Sequence, residues 1–203
     1  MKNRLFSPLF TFVFLISAPA FAEKTKIGVV LSPSGKFANV REPILNGIKL
    51  FFQDKKDVEL EFLENGDELS DQASAAKTIE EKNIRFVIGH NSSGIAKLFL
   101  KSLSPDYKVS YVTPLATSLE LKGINPGAFV TWPSNELQIN VISSFLKATR
   151  KKLGKVAIII NESEAYSTEM AALFFDKVKS LATGEIEKIS YLGDKFDPAQ
   201  VLN

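Results

Sequence analysis

From Lys26 onward, short apolar runs alternate with segments of helical periodicity, and this alternation limits the fold more than any other feature of the sequence. Short apolar runs separated by helices are typical of strands buried on both faces of a parallel sheet. The sequence therefore predicts an α/β fold with helices on both faces of a mostly parallel sheet. Strands are predicted at 26–32, 58–65, 84–90, 108–117, 128–133, 155–161 and 184–193, and helices at 41–53, 70–83, 94–103, 135–154 and 166–183.

The first 22 residues have the features of a secretory signal peptide. Lys2 and Arg4 form a basic start, an apolar run follows at 5–17, and Ala20-Phe21-Ala22 matches the small-x-small pattern of a signal peptidase site. The apolar run is too short for a stable membrane span. We expect cleavage after Ala22 and residence in the periplasm.

Composition excludes several classes of function. The formal net charge of +2 comes from 25 basic and 23 acidic residues, and loss of Lys2 and Arg4 with the signal peptide leaves 23 of each. A balanced chain has no electrostatic footprint for nucleic acid, so no nucleic-acid partner is expected. The chain has no Cys, which excludes a thiol nucleophile and a Cys-ligated metal.

The loop after the third predicted strand, "HNSSG", places small polar residues where a helix begins. Free N–H groups at a helix N-terminus carry partial positive charge and attract anions. Ser92 and Ser93 add hydroxyl groups to these donors, and Gly94 lets the backbone approach a ligand closely. The loop therefore suits a carboxylate, although a simple helix cap at Ser92 explains the same residues.

The loop after the fourth predicted strand, "TPLATS", also contains a hydroxyl and a backbone carbonyl that could bind a ligand. The Thr117 hydroxyl and the Leu115 carbonyl could bind an ammonium group, whereas a plain polar turn is the alternative. Ligands of open α/β sheets bind beyond the carboxyl ends of the strands. Because the two loops follow consecutive strands, we expect them to face one crevice.

No set of residues predicts an enzyme. His90 is the only histidine and ends an apolar strand, where a hydrogen-bonded structural role is expected, so neither a metal nor a cofactor is predicted. The serines lack the flanking residues of a nucleophile elbow, and 28–35 fits no nucleotide-binding fingerprint. The carboxylates at 162–164 and 66–71 are predicted to be solvated, and Trp132 is predicted to pack at a hinge.

The order and spacing of the segments resemble the type I periplasmic solute-binding proteins, specifically the branched-chain amino-acid (Leu/Ile/Val) binding family of ABC importers. The resemblance runs from Lys26 to Asn203. It rests on the segments "KIGVVLSPSGKFA", "NGIKLFF", "FVIGHNSSGIA", "VSYVTPLATS", "FVTWPSNELQ", "KVAIIINESEAYSTEMAALF" and "DKFDPA".

The resemblance implies how an amino acid would be held. Ser93, with the backbone around Ser92, would bind the carboxylate. The 115–117 loop, through the Leu115 carbonyl, Ala116 and the Thr117 hydroxyl, would bind the amino group. Tyr166 would cover the ligand when a second lobe closes, and an ABC permease in the inner membrane would receive the loaded protein.

The resemblance also implies the domain organisation. Residues 24–134 would form a Rossmann-like N-terminal lobe, and 135–203 would form a second α/β lobe that is truncated, so that the chain looks like an N-terminal half. A sensor or receptor-partner domain of the same fold, and a truncated remnant without binding function, remain alternatives. Open strand edges and uncovered apolar faces would leave room for a second copy or another partner.

Overall fold

The computed structural model describes residues 23–33, 38–63, 66, 68–150, 152–193 and 195–199. The predicted signal peptide and its cleavage site after Ala22 lie outside the described residues, as does the C-terminal end at 200–203. Among the described residues, none of the helices has both the length and the apolar character needed to cross a membrane.

Strands and helices alternate along the chain as predicted. The elements are β1 (Thr25–Val30), α1 (Ala38–Phe52), β2 (Val58–Leu63), α2 (Leu69–Glu81), β3 (Phe86–Gly89), α3 (Ser93–Ser102), β4 (Ser110–Thr113), α4 (Glu120–Ile124), β5 (Ala128–Val130), α5 (Asn135–Thr149), β6 (Val156–Asn161), α6 (Ala165–Val178) and β7 (Ile186–Tyr191). The short helix α4 was not predicted, because five residues are too few to show a helical period.

The helix predicted at 70–83 begins one residue earlier than expected, at Leu69. Glu68 is its N-cap residue. Asp71 accepts a hydrogen bond from the Glu68 backbone N–H at 3.1 Å. This is the reciprocal bond of a capping box, in which the acidic residue three positions after the cap reaches back to it.

Five parallel strands form a larger sheet in the order β2-β1-β3-β4-β5. The second strand, β2, pairs with one side of β1, and the later strands β3, β4 and β5 follow on its other side. The carboxyl ends of β1 and β3 therefore flank a topological switch point, where open α/β sheets bind ligands.

Helices lie on both faces of the larger sheet, which confirms the predicted α/β fold. The α2 and α3 helices bury Ile79 and Phe99 against strand residues such as Val87 and Tyr111 in one cluster. On the other face, Leu45 of α1 packs with residues of β1. A strand buried on both faces needs apolar residues in succession, as in β1, whereas the edge strand β2 alternates apolar and acidic residues.

A smaller sheet pairs β6 with β7 in parallel, and α5 packs against α6 beside it. Leu137, Val141 and Phe145 follow each other at intervals of one helical turn on α5 and are exposed. Ile159 of β6 is exposed as well. An apolar face is thus uncovered by the described residues. The two sheets lie on either side of residue 134 in the sequence, and the domain boundary there stays a prediction.

Candidate functional site

The structure brings the two predicted loops together at the carboxyl ends of β3 and β4. The Ser93 hydroxyl oxygen accepts hydrogen bonds from the backbone N–H of Thr117 at 3.1 Å and of Ser118 at 3.4 Å. Ser93 and Thr117 are both buried. Because an oxygen that accepts two bonds keeps its own hydrogen, the Ser93 hydroxyl can still donate one.

Buried polar contacts hold the 113–118 loop in shape. The Thr113 hydroxyl donates to the His90 carbonyl at 2.9 Å and accepts from the Ala116 N–H at 2.8 Å. The Thr117 carbonyl accepts from the N–H of Asn135, the first residue of α5, at 3.1 Å. The loop is therefore anchored to the end of β3 on one side and to α5 on the other.

An aromatic layer lies beneath the two loops. The Tyr111 hydroxyl accepts from the His90 N–H at 2.6 Å and lies 2.9 Å from the His90 Nδ1 atom. The two rings stack at 6.0 Å between centroids, and Phe99 contacts both. Burial lowers the pKa of His90 to about 3 and raises the pKa of Tyr111 well above its ordinary value. Both groups are therefore neutral at physiological pH, in keeping with the structural role predicted for His90.

The start of α3 leaves backbone donors for a ligand. Ser92 is the N-cap residue, and its carbonyl accepts from the Ala96 N–H at 3.0 Å. Its hydroxyl makes no capping bond, so the first N–H groups of the helix are not satisfied by the cap side chain. A Cβ atom placed on Gly94 would lie 3.8 Å from the Ala165 Cβ, which shows that α3 and α6 begin close to each other.

A cavity of about 190 Å³ opens at this place. The residues around it come from the two loops, from the segment after β5, and from α5 and the start of α6: Asn91, Ser92, Ser93, Leu115, Thr117, Trp132, Gln138, Glu164 and Tyr166. All residues predicted to bind ligand line it except Ala116. Ala116 is buried in the core, and its N–H donates to the Thr113 hydroxyl at 2.8 Å.

Two residues that were not predicted to bind ligand also line the cavity. Trp132 was expected to pack at a hinge, but it lines the cavity with a side chain that is 55% exposed. Glu164 was expected to be solvated, as its neighbour Glu162 is, but it is half-buried and also lines the cavity. Gln138, which sequence reasoning missed, accepts a hydrogen bond from the Tyr166 hydroxyl at 3.2 Å.

The signals for these missed residues were weak. Trp132 is the only tryptophan and precedes a proline in the connection after β5, and Glu164 stands two residues before Tyr166. Neither position belongs to a periodic pattern.

Within the described ranges, no three His, Cys, Asp or Glu side chains come together in a way that could hold a metal ion.

Comparisons with known proteins find likeness in structure rather than in sequence. No protein-family model and no curated protein matches the sequence. A leucine binding protein, LivK, from Thermotoga maritima superposes with a TM-score of 0.74 at 20% identity, over 88% of this chain and 52% of that one. The branched-chain amino acid transporter substrate binding protein LivJ from Streptococcus pneumoniae, solved with isoleucine, gives 0.70 at 19% identity, over 89% and 53%.

A third similar structure has a different ligand. The solute binding protein of an ABC transporter from Rhodopseudomonas palustris, solved with 3,4-dihydroxy benzoic acid, gives a TM-score of 0.71 at 20% identity, over 88% of this chain and 50% of that one. The chain thus spans about half the length of the solved structures it matches. At these identities the likeness establishes the fold. The chain therefore has the α/β fold of the type I periplasmic solute-binding proteins of ABC transporters.

Proposed function

We propose that this chain forms the ligand-binding cleft of a periplasmic solute-binding protein that serves an ABC importer, and that its solute is an amino acid of the branched-chain type. One observation carries the proposal. The cavity lies at the carboxyl ends of β3 and β4, and α3 begins there with backbone donors beside the Ser93 hydroxyl. Solved proteins of the same fold were crystallised with small carboxylate-bearing solutes at comparable similarity.

The carboxylate of the solute would bind at the start of α3. The partial positive charge of a helix N-terminus stabilises an anion within the first turn, and here the Ser92 hydroxyl does not occupy those donors. The Ser93 hydroxyl would add a hydrogen bond to the same carboxylate. Its oxygen already accepts two N–H bonds from the neighbouring loop, which hold it in place before a ligand arrives.

The rest of the solute would meet the other walls of the cavity. The Leu115 carbonyl and the Thr117 hydroxyl are the groups proposed for the amino group, and both residues line the cavity. The side chains of Leu115 and Trp132 offer apolar surface to an aliphatic side chain. Ala116, which is buried, would complete this loop for the amino group, and its N–H donates to the Thr113 hydroxyl.

Tyr166 would cover the solute from the side of α6. Its ring lines the cavity, and its hydroxyl donates to Gln138, so that α5 and α6 present this wall together.

We propose that the chain is exported, that its leader is removed after Ala22, and that an ABC permease receives the solute. The predicted absence of enzymatic activity is part of the same proposal, because binding here would be non-covalent.

Calorimetry of the purified full chain with L-leucine, L-isoleucine, L-valine and 4-hydroxybenzoate tests the proposal. We expect a branched-chain amino acid to bind most tightly. Ser93→Ala should weaken that binding by about 1.5–3 kcal/mol, the value of a charge-assisted hydrogen bond. A circular dichroism spectrum of the variant shows whether the loss comes from misfolding, since Ser93 also supports the 113–118 loop.

Ser102→Ala provides the matched control. Ser102 ends the same helix, its hydroxyl donates to the Leu98 carbonyl at 2.9 Å, and it does not line the cavity. The affinity of the Ser102→Ala variant for the branched-chain amino acid should equal that of the wild type. A folded chain that binds none of these solutes would contradict the proposal and favour a remnant without binding function. Tightest binding of 4-hydroxybenzoate would keep the binding role but contradict the choice of an amino acid.

A further inference from the structure

We propose that two copies of this chain associate through the exposed side of α5, with the two helices packed antiparallel across a twofold axis. The inference goes beyond the proposed function and does not depend on it, because none of the residues that carry it lines the cavity. It assigns one occupant, a second copy of the same chain, to an apolar surface that the described residues leave uncovered.

The residues of α5 divide between a buried side and an exposed side. Ile139 and Ser143 are buried on the side that packs against the rest of the protein. Leu137, Val141 and Phe145 recur every four residues and are 53%, 61% and 64% exposed. At about 100° per residue, these three lie on the opposite side of the helix from the buried pair. A surface helix ordinarily presents polar residues to water there, so an apolar exposed side indicates a partner.

The exposed apolar surface is large enough to form the centre of an interface. With Ile142, which is 41% exposed, the apolar side chains on α5 leave roughly 450 Å² of area open to water. A contiguous apolar patch of this size usually marks an interaction site on a soluble protein. A standard interface buries about 800 Å² on each partner and has a polar rim around an apolar core. The patch accounts for such a core, and its polar neighbours supply the remaining area.

The exposed side of α5 has the residue spacing of a seam between two packed helices. Intervals of four, three and four residues separate the members of this seam, which are Leu137, Val141, Ser144 and Ala148. All of them are exposed, and the small side chains of Ser144 and Ala148 let a second helix approach closely. Val141 is near the middle of α5, so a twofold axis beside it would bring Phe145 of one copy next to Leu137 of the other.

The charged residues beside the seam favour a second copy in the antiparallel orientation. Glu136 is in the first turn of α5 and Lys147 is in the last turn, about three helical turns away on the same side of the helix. In an antiparallel pair the start of each helix lies beside the end of the other, so Glu136 of one copy faces Lys147 of the other. A parallel pair would place like charges together. The chain as a whole has nearly balanced charge, so its net charge does not oppose association.

Sedimentation velocity of the purified full chain over a range of concentrations tests the proposal. The wild type should sediment as a dimer that dissociates on dilution. Val141→Arg places two like charges at the twofold axis and should raise the dimer dissociation constant by about 100-fold or more. Leu50→Arg is the matched control, because Leu50 is an apolar residue on a different helix, α1, and is 67% exposed. The dissociation constant of this control should stay within about twofold of the wild-type value.

Two further variants keep the test independent of the folding of Val141→Arg. The chain has no cysteine, so Val141→Cys introduces a single thiol. Mild oxidation should join two copies at position 141, whereas Leu50→Cys should remain without a cross-link. Glu136→Lys should raise the dissociation constant about threefold to about tenfold, and adding Lys147→Glu should restore the wild-type value, because the pair of charges is then reversed. A circular dichroism spectrum of each variant reports its folding.

Three results would overturn the inference. A folded wild type that sediments as a monomer at every concentration would exclude a second copy and favour a different polypeptide on this side of α5. Association that is equally strong in Val141→Arg would assign the contact to another surface. Association without a disulfide at position 141, and without recovery when both charges are reversed, would contradict the antiparallel arrangement.

Discussion

The buried His90 should make the stability of this protein fall as the solution becomes mildly acidic. Its imidazole is enclosed by Phe99 and Tyr111 and has no exposure to solvent. Burial penalises the charged form and lowers the pKa of His90 to about 3, against 6.5 in an unfolded chain. The unfolded chain therefore takes up a proton in a pH range where the folded chain does not.

The sign and size of the effect follow from this difference in pKa. Above pH 6.5 His90 is neutral in both states, and its contribution to stability is fully present. As the pH falls from 6.5 towards 3, only the unfolded state binds the proton, so the free energy of unfolding decreases by up to about 1.4 kcal/mol per pH unit. Between pH 7 and pH 5 the loss from His90 alone is about 2 kcal/mol.

Two measurements test this reasoning. Urea unfolding at pH 7, 6 and 5 gives the free energy of unfolding, and this window lies above the range in which ordinary carboxylates titrate. Because the chain has one histidine, a preparation without a histidine tag gives a single imidazole Cε1–H signal in the NMR spectrum. That signal should stay constant from pH 8 to 5 in the folded protein and should titrate near 6.5 in urea. A midpoint near 6 in the folded protein would refute the argument.

Two further predictions concern contacts of α3 and of the aromatic layer beneath the two loops. Lys97→Met removes the ion pairs of Lys97 with Glu120 of α4, at 2.5 Å, and with Glu169 of α6, at 3.7 Å, and it leaves the Glu169 carboxylate, which is only 15% exposed, without that partner. We expect a loss of about 1–2 kcal/mol in urea unfolding, whereas Lys101→Met, on the exposed face of the same helix, should change little. Tyr111→Phe removes the hydroxyl that contacts the His90 N–H and Nδ1, and it should lower the free energy of unfolding by about 1–3 kcal/mol. An unchanged urea midpoint would contradict that contact.

The fold could be predicted from the sequence because strands and helices that pack on a central sheet each require their own spacing of apolar residues along the chain. The inner strands of the larger sheet need apolar residues in succession, the edge strand β2 alternates, and the helices between them need an apolar stripe at a period of 3.6 residues. These requirements are local in sequence. They were also enough to predict that the loops at 90–94 and 113–118 face each other, since consecutive parallel strands bring their carboxyl ends together.

The membership of the cavity could be predicted only in part. Ser92, Ser93, Leu115, Thr117 and Tyr166 were correctly expected at one place. Ala116, which was predicted with them, is buried and does not line the cavity, and its hydrogen bond to the Thr113 side chain is a contact that a pattern of residue types does not reveal.

The sequence by itself determined the parallel α/β architecture and the edge of the sheet where polar loops meet. Only the tertiary structure decided that Trp132 and Glu164 share a cavity with Ser93. Those residues lie in connections after β5 and β6, where no periodicity records burial. Their place depends on how α5 and α6 pack against the start of α3, and that packing is a property of the folded chain rather than of any one segment.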